Sequence, residues 1–191
     1  TGTPTTTVPR SGTPQLMIAW QADDPDNDRL QYALWFRGED EKQWKLVKNQ
    51  LTENTHLLDA ETLADGRYQF RVVASDRLSN PAGTAREAEL VSAPVLVDNT
   101  PPAVTIGQVA RKTGTVEVPV VAIDSASPLR RAEYNLDAGP WMLLEPSDGI
   151  LDERKEEFLI VLRDLPPGEH VVVVRVLDSS SNPGLAKVVL K

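Results

Sequence analysis

Apolar side chains recur at every second position in several short stretches of the chain. Leu16, Ile18, Trp20 and Ala22 share one face, Leu30, Tyr32, Leu34 and Phe36 a second, and Tyr68, Phe70, Val72 and Ala74 a third. Period two is the period of a β-strand with one face buried. Val116, Val118, Val120 and Ala122 repeat the first of these stretches, with Glu117 and Pro119 facing the other way. Pro119 has no N–H to give to a ladder, which predicts an edge strand or a bulge. Asp137-Ala138-Gly139-Pro140 reads as a hairpin turn after Tyr134, and Phe158 to Leu162 and Val171 to Leu177 supply two further strands. In the last of these Val171, Val173 and Leu177 oppose Val172, Val174 and Val176, as in a strand covered on two sides, although the β-propensity of Val alone accounts for the pattern and is the preferred reading. Helix has little room, and the spacing of turn residues predicts about seven short strands per ~95 residues.

The chain repeats itself. LADGRYQFRVVASDRLSNP, residues 63 to 81, aligns without a gap on LPPGEHVVVVRVLDSSSNP, residues 165 to 183, at a constant offset of 102. Leu63 falls on Leu165, Gly66 on Gly168, Asp76 on Asp178, Asn80 on Asn182 and Pro81 on Pro183, while Arg71 falls on Val173 and is not repeated. A drift of two residues brings Asp24 near Asp124. Two copies of one module is the economical reading. Between them, VLVDNTPPAV combines the turn-forming Asp98-Asn99 with Pro101-Pro102, which cannot donate to a sheet. The expected division is therefore an extended Thr, Pro and Gly linker over 1–12, one sandwich over 13–98 and another over 99–191. Thr1 in place of Met, ahead of that linker, reads as a fragment of a longer protein whose signal segment lies outside it.

Composition narrows the chemistry. Among 191 residues, 28 Asp+Glu against 20 Lys+Arg leave a formal charge of -8, which repels phosphate backbones and anionic bilayers. No apolar run approaches the ~20 residues of a membrane span. Neither nucleic acid nor membrane insertion is expected. Zero Cys excludes disulfides, thiolate nucleophiles and Cys-ligated metals, and two His leave little for imidazole chemistry. No Gly-rich phosphate loop, Gly-x-Ser-x-Gly elbow or His-Glu-x-x-His is present. The sequence thus predicts no catalytic residue and no cofactor.

LMIAW, then LQYALWFRG, then Leu63-x-x-Gly66-x-Tyr68 running into YQFRVVASD, resemble a fibronectin type III module over residues 13 to 97. Trp20 stands where that family keeps a core Trp on its second strand, Tyr32 where it keeps a Tyr on the third, and Tyr68 where a Tyr opens the sixth. In the second module His170 replaces Tyr68 and Val120 replaces Trp20. With its DNTPP opening, YNLDAGPW hairpin and closing Asp-x-x-x-Asn, it resembles the broader bacterial immunoglobulin-like modules. The resemblance implies an all-β chain of two tandem immunoglobulin-like (fibronectin type III-like) antiparallel β-sandwiches joined by a short Pro-containing linker. It also implies a non-catalytic spacer or interaction module of a larger secreted or surface bacterial protein, placed outside the cell, on its surface or in the periplasm. The implied partners are neighbouring domains of that protein, with a polysaccharide or a surface protein as further options.

Four groups of residues carry candidate chemistry. Asp24, Asp26 and Asp28 alternate as a calcium loop requires, yet Trp35 occupies the twelfth position, where an EF-hand needs Glu; a turn between two strands is the preferred reading. Asp76 and Asp178, each followed four residues later by Asn, are expected to accept backbone N–H groups at strand ends, with the Asn in a left-handed turn. Trp35 and Arg37 face outward by alternation and Trp44 lies on the next strand, so these three form a candidate carbohydrate-binding patch or, alternatively, ordinary sheet cover. The mixed-sign run from Asp152 to Glu157 reads as a solvated loop.

Overall fold

In a computed structural model of the chain, which describes residues 6–7 and 15–191, the alternating stretches form strands of antiparallel sheets. They divide between two units, Thr1–Val97 and Asp98–Lys191. The first holds β1 (Thr6–Thr7), β2 (Gln15–Ala19), β3 (Gln31–Gly38), β4 (Lys45–Leu51), β5 (Thr55–Asp59), β6 (Gly66–Ser75), β7 (Glu87–Val91) and β8 (Val95–Val97), with a 3-10 turn at Ala60–Thr62. One sheet runs β1-β2-β5. The other runs β4-β3-β6, with β7 and β8 in succession on the far edge of β6. Leu16 and Ile18 from the first sheet meet Leu34, Phe70 and Val72 from the second, and Trp20 packs edge-on against Tyr32 with ring centroids 5.3 Å apart. Thr6 and Thr7, expected within an extended linker, instead pair with Met17 and Leu16. The rest of residues 1–12 lies outside the described residues.

The second unit holds β9 (Ala103–Ile106), β10 (Ala110–Lys112), β11 (Thr115–Ile123), β12 (Leu129–Leu136), β13 (Met142–Leu143), β14 (Lys155–Arg163), β15 (His170–Asp178) and β16 (Pro183–Leu190). β11 pairs with β14 on one side and with β9 and β10 on the other, while the second sheet runs β13-β12-β15-β16. Val116, Val118, Val120, Ala122, Phe158, Ile160 and Leu162 face Leu129, Ala132, Val172, Val174 and Val176 across the core. Each unit is a three-position layer over a four-position layer, the all-β antiparallel sandwich expected of the sequence. Among the described residues no helix is long and apolar enough to cross a membrane.

One local expectation is met by its second option and two change. Pro119 is on a bulge and not on an edge: β14 pairs along the whole of β11, setting Pro119 opposite Leu159, while on the other side residues 107–109 stand opposite Val118 and Pro119. Its carbonyl accepts the Gly107 N–H at 2.8 Å. A residue's N and C=O point toward the same neighbour in an antiparallel ladder, so the missing donor faces the break between β9 and β10. There a Cβ on residue 107 would lie 3.2 Å from the proline ring, which glycine avoids. Glu156, expected in a solvated run, is 4% exposed. Alternation back from Phe158 turns it to the inner face of β14, where Oε1 accepts the N–H groups of Asp152 and Glu153. Asp98, assigned to the first sandwich, falls with the second because Thr100 and Asn182 of that unit bind it.

A corner bond closes each unit at equivalent positions. The Tyr68 hydroxyl donates to the Ala64 carbonyl at 2.8 Å. In the second unit His170 Nε2 lies 3.0 Å from the Pro166 carbonyl, again four residues back, and Nδ1 lies 2.6 Å from Asp137 Oδ2. The bond to Asp137, reinforced by Pro166, raises the His170 pKa, and the same bond lowers that of Asp137. The charged imidazole is favoured by folding. Its contribution is full below the unfolded value of about 6.5 and disappears as pH rises through the higher folded value. The Asp137 contribution is present above about 3.9 and is lost as pH falls through the lower folded value.

Tyr68→Phe removes one hydrogen bond and costs about 1 kcal/mol, read by urea unfolding. Thermal unfolding of the wild-type chain loses stability as pH rises from 6 to 9, whereas His170→Tyr, which keeps an uncharged donor at the corner, shows no such loss over pH 6 to 8.

Candidate functional site

Alternation on β3 puts Tyr32 and Leu34 inside and Trp35 and Arg37 outside, and cross-strand register decides what they meet. Trp35 pairs with Arg71 of β6 and Arg37 with Gln69. Arg37 donates from Nε and a terminal nitrogen to Gln69 Oε1 at 3.2 and 2.8 Å, which fixes its guanidinium over Trp44, 4.6 Å from the ring centroid. The Arg71 guanidinium lies 4.9 Å from Trp44 and 5.4 Å from Trp35, and meets Glu89 at 3.4 Å. Arg37, Trp44, Arg71 and Trp35 therefore alternate as a ladder of cations and indoles, all half-buried. The structure brings the three expected residues together and adds Arg71, which the alternation pattern alone does not single out. Its signal was an outward position on β6 that the other module does not repeat. Attraction between guanidinium and ring quadrupole holds such a ladder in the absence of any ligand.

The second unit builds its own outer-face pair. Glu133, 3% exposed, accepts from Arg175 at 2.6 and 3.2 Å and from Arg131 Nε at 2.7 Å, while Arg175 also covers the Trp141 ring at 4.2 Å. The Arg175 hydrogen bond, against the opposing effect of burial and with Arg131, lowers the Glu133 pKa.

Carboxylates gather at a strand end in each unit. In the first, Asp24 Oδ1 accepts the N–H groups of Asp26 and Asp28 at 2.9 and 3.2 Å, and Asn27 takes a φ of 60°. This is turn geometry. Asp24 and Asp28 group with Asp76 of the strand end beyond β6, whereas Asp26 is exposed and outside the group. Asp28 Oδ2 accepts from Asn80 Nδ2 at 2.7 Å, and Asp76 Oδ1 accepts the Arg86 N–H at 2.7 Å.

The second unit gathers Asp98, Asp124 and Asp178, which are 6%, 4% and 2% exposed, with one carboxylate oxygen from each lying within 4.8 Å of the others. Asp124 Oδ1 accepts the N–H groups of Ala126 and Ser127 at 2.8 and 2.7 Å. Asp98 Oδ1 accepts from Thr100 at 3.2 Å. Asn182 donates its N–H to Asp178 Oδ1 at 2.8 Å, and its side-chain amide to Asp178 Oδ2 at 2.7 Å and to the Asp98 carbonyl at 2.9 Å. Burial, opposed by the Asn182 bonds and assisted by the charges of Asp98 and Asp124, raises the Asp178 pKa. Asp76 and Asp178 accept backbone N–H groups as the sequence predicted. Neither Asn80 nor Asn182 is the left-handed residue expected: in the second unit that conformation falls on Ser181, φ 71°, and the amides of both Asn are used as donors. Asp98 was not foreseen as part of a site. The drifted alignment of Asp24 with Asp124 was the available signal for Asp124.

No family model matches the chain, and no curated protein does. Among solved structures, the fibronectin(III)-like modules of Clostridium thermocellum CbhA are similar, with 18% identity over 92% of this chain and 83% of theirs and a TM-score of 0.46. The FN1–FN3 domains of chicken CNTN1 show 13% identity over 93% of this chain and 62% of theirs, with a TM-score of 0.40.

Trp44→Ala removes two cation–π contacts from the first unit and destabilises it by about 1 to 2 kcal/mol, measured by urea unfolding of the full chain. Arg71→Ala costs a similar amount, because it too removes two cation–π contacts, one from each indole, while Arg37 stays over Trp44.

Proposed function

We propose that the chain is a non-catalytic spacer within a larger secreted or surface bacterial protein, acting through the positions at which it holds its neighbours. The observation that carries this reading is the junction. The first unit ends with Val97, the last residue of β8, and the next residue, Asp98, is already buried and bonded within the second unit. No Gly/Ser-type tether intervenes, and Pro101 and Pro102 stiffen the segment leading into β9. Further support comes from the titratable groups displaced by specific partners. Glu133, Asp137 and His170 each spend their hydrogen bonds on strand or loop positions of their own unit, which is a structural use of charge. The guanidinium ladder over Trp35 and Trp44 likewise gives these indoles partners within the sheet.

Exchange of the whole chain, within its parent protein, for an unrelated tandem of similar sandwiches tests the proposal. A spacer retains the parent's function after that exchange and loses it when a flexible Gly/Ser linker of equal residue number is inserted instead. Loss of function in both cases shows a surface specific to this chain and contradicts the proposal.

A further inference from the structure

We propose that Asp98, Asp124 and Asp178 of the second unit form a binding site for a hard divalent cation, with calcium the ion its donors favour. The inference goes beyond the spacer reading and does not depend on it. Acidic clusters are common on protein surfaces, but here all three carboxylates are more than nine-tenths buried. Two of their oxygens, Asp98 Oδ2 and Asp124 Oδ2, are buried without a hydrogen-bond partner, while Oδ1 of each is held by backbone N–H groups. Ser127, whose N–H fixes Asp124, also leaves its hydroxyl buried and unpartnered. A buried, unpartnered carboxylate oxygen is costly, and Asp98 and Asp124 each carry one; with Asp178 they bring three carboxylates together, one oxygen of each within 4.8 Å of the others, and these repel. A divalent ion meets the orphaned oxygens and the charge together.

Oxygen-only donors select a hard cation, and calcium accepts mixed carboxylate and hydroxyl donors in irregular geometry where magnesium demands a near-ideal octahedron and keeps its water. Asn182 fits an outer-sphere role, orienting the Asp178 carboxylate through both of its oxygens. The ion would tie together the segment opening the unit, the end of β11 and the end of β15. The cluster in the first unit provides an internal control. Asp28 and Asp76 there are bonded to Asn80 and Arg86, Asp24 and Asp28 are only half-buried, and none of its carboxylate oxygens is among the buried unpartnered atoms.

The test is calcium titration of the full chain at pH 7, after chelator treatment and dialysis, by calorimetry and thermal unfolding. The expected dissociation constant is on the order of 10⁻⁴ M, as in extracellular modules, with a rise in unfolding temperature on saturation. Asp124→Asn keeps the Oδ1 acceptor and weakens binding by about 10-fold or more. Asp98→Asn does the same by an independent route, and Asp28→Asn leaves binding unchanged. Circular dichroism matching wild type confirms that each variant is folded. Absence of both heat and thermal shift at about 10 mM calcium overturns the proposal. So does binding that survives Asp98→Asn and Asp124→Asn, or binding that Asp28→Asn abolishes.

Discussion

Short carboxylates placed where strands end are the constraint on which both units depend. A sandwich buries its apolar faces between two sheets, and the chain must then turn at each end without leaving backbone N–H groups unbonded. Asp24, Asp76, Asp124, Asp178 and Glu156 each accept one or more such N–H groups in the turns flanking their strands, and Asp137 accepts the N–H of Val171 at the start of β15. A hydrogen bond to a charged acceptor contributes about 1.5 to 3 kcal/mol, comparable to burying one large apolar side chain. The net acidity of the chain is thus partly structural, because several of its carboxylates are consumed in closing turns.

Duplication shows which parts of this arrangement are fixed and which vary. The corner persists while its chemistry changes: Tyr68 reaches back four residues with a hydroxyl, and His170 reaches back four with an imidazole whose pKa the bond to Asp137 raises. The Asp-x-x-x-Asn closure persists as well, although the amide serves different oxygens. Asn80 bonds Asp28 across the loops, whereas Asn182 bonds Asp178 and the carbonyl of Asp98. The aromatic core pair of the first unit, Trp20 on Tyr32, has no counterpart at Val120, and the second core is instead dense in Val. Outer faces diverge most. Each sets a guanidinium from the equivalent strand, β6 or β15, over an indole, but from different positions and with different partners.

Alternation made the cores legible in the sequence, since Leu16, Ile18, Leu34, Phe70 and Val116 through Ala122 occupy the inner positions period two assigns them. It did not reveal how Pro119 is accommodated, because that depends on an interruption in the partner strand around Gly107. Glu156 was legible in principle: counting back from Phe158 places it inside, but a run of mixed charges masked the count. The site residues were harder. Arg71 joins Trp35 through pairing of strands far apart in sequence, and Asp98 joins Asp124 and Asp178 only when three segments converge on one end of the sandwich. Local pattern carries no record of such convergence, whereas the offset of 102 between modules carried part of it.

Amide hydrogen exchange of the full chain tests most directly whether strand-end carboxylates hold the turns. The N–H groups of Arg86, Ala126, Ser127 and Asn182 lie outside the strands yet point at Asp oxygens. They are expected to exchange as slowly as the ladder amides beside them. Exchange of these four at the rate of an unstructured peptide, with the strand amides still protected, would contradict the account.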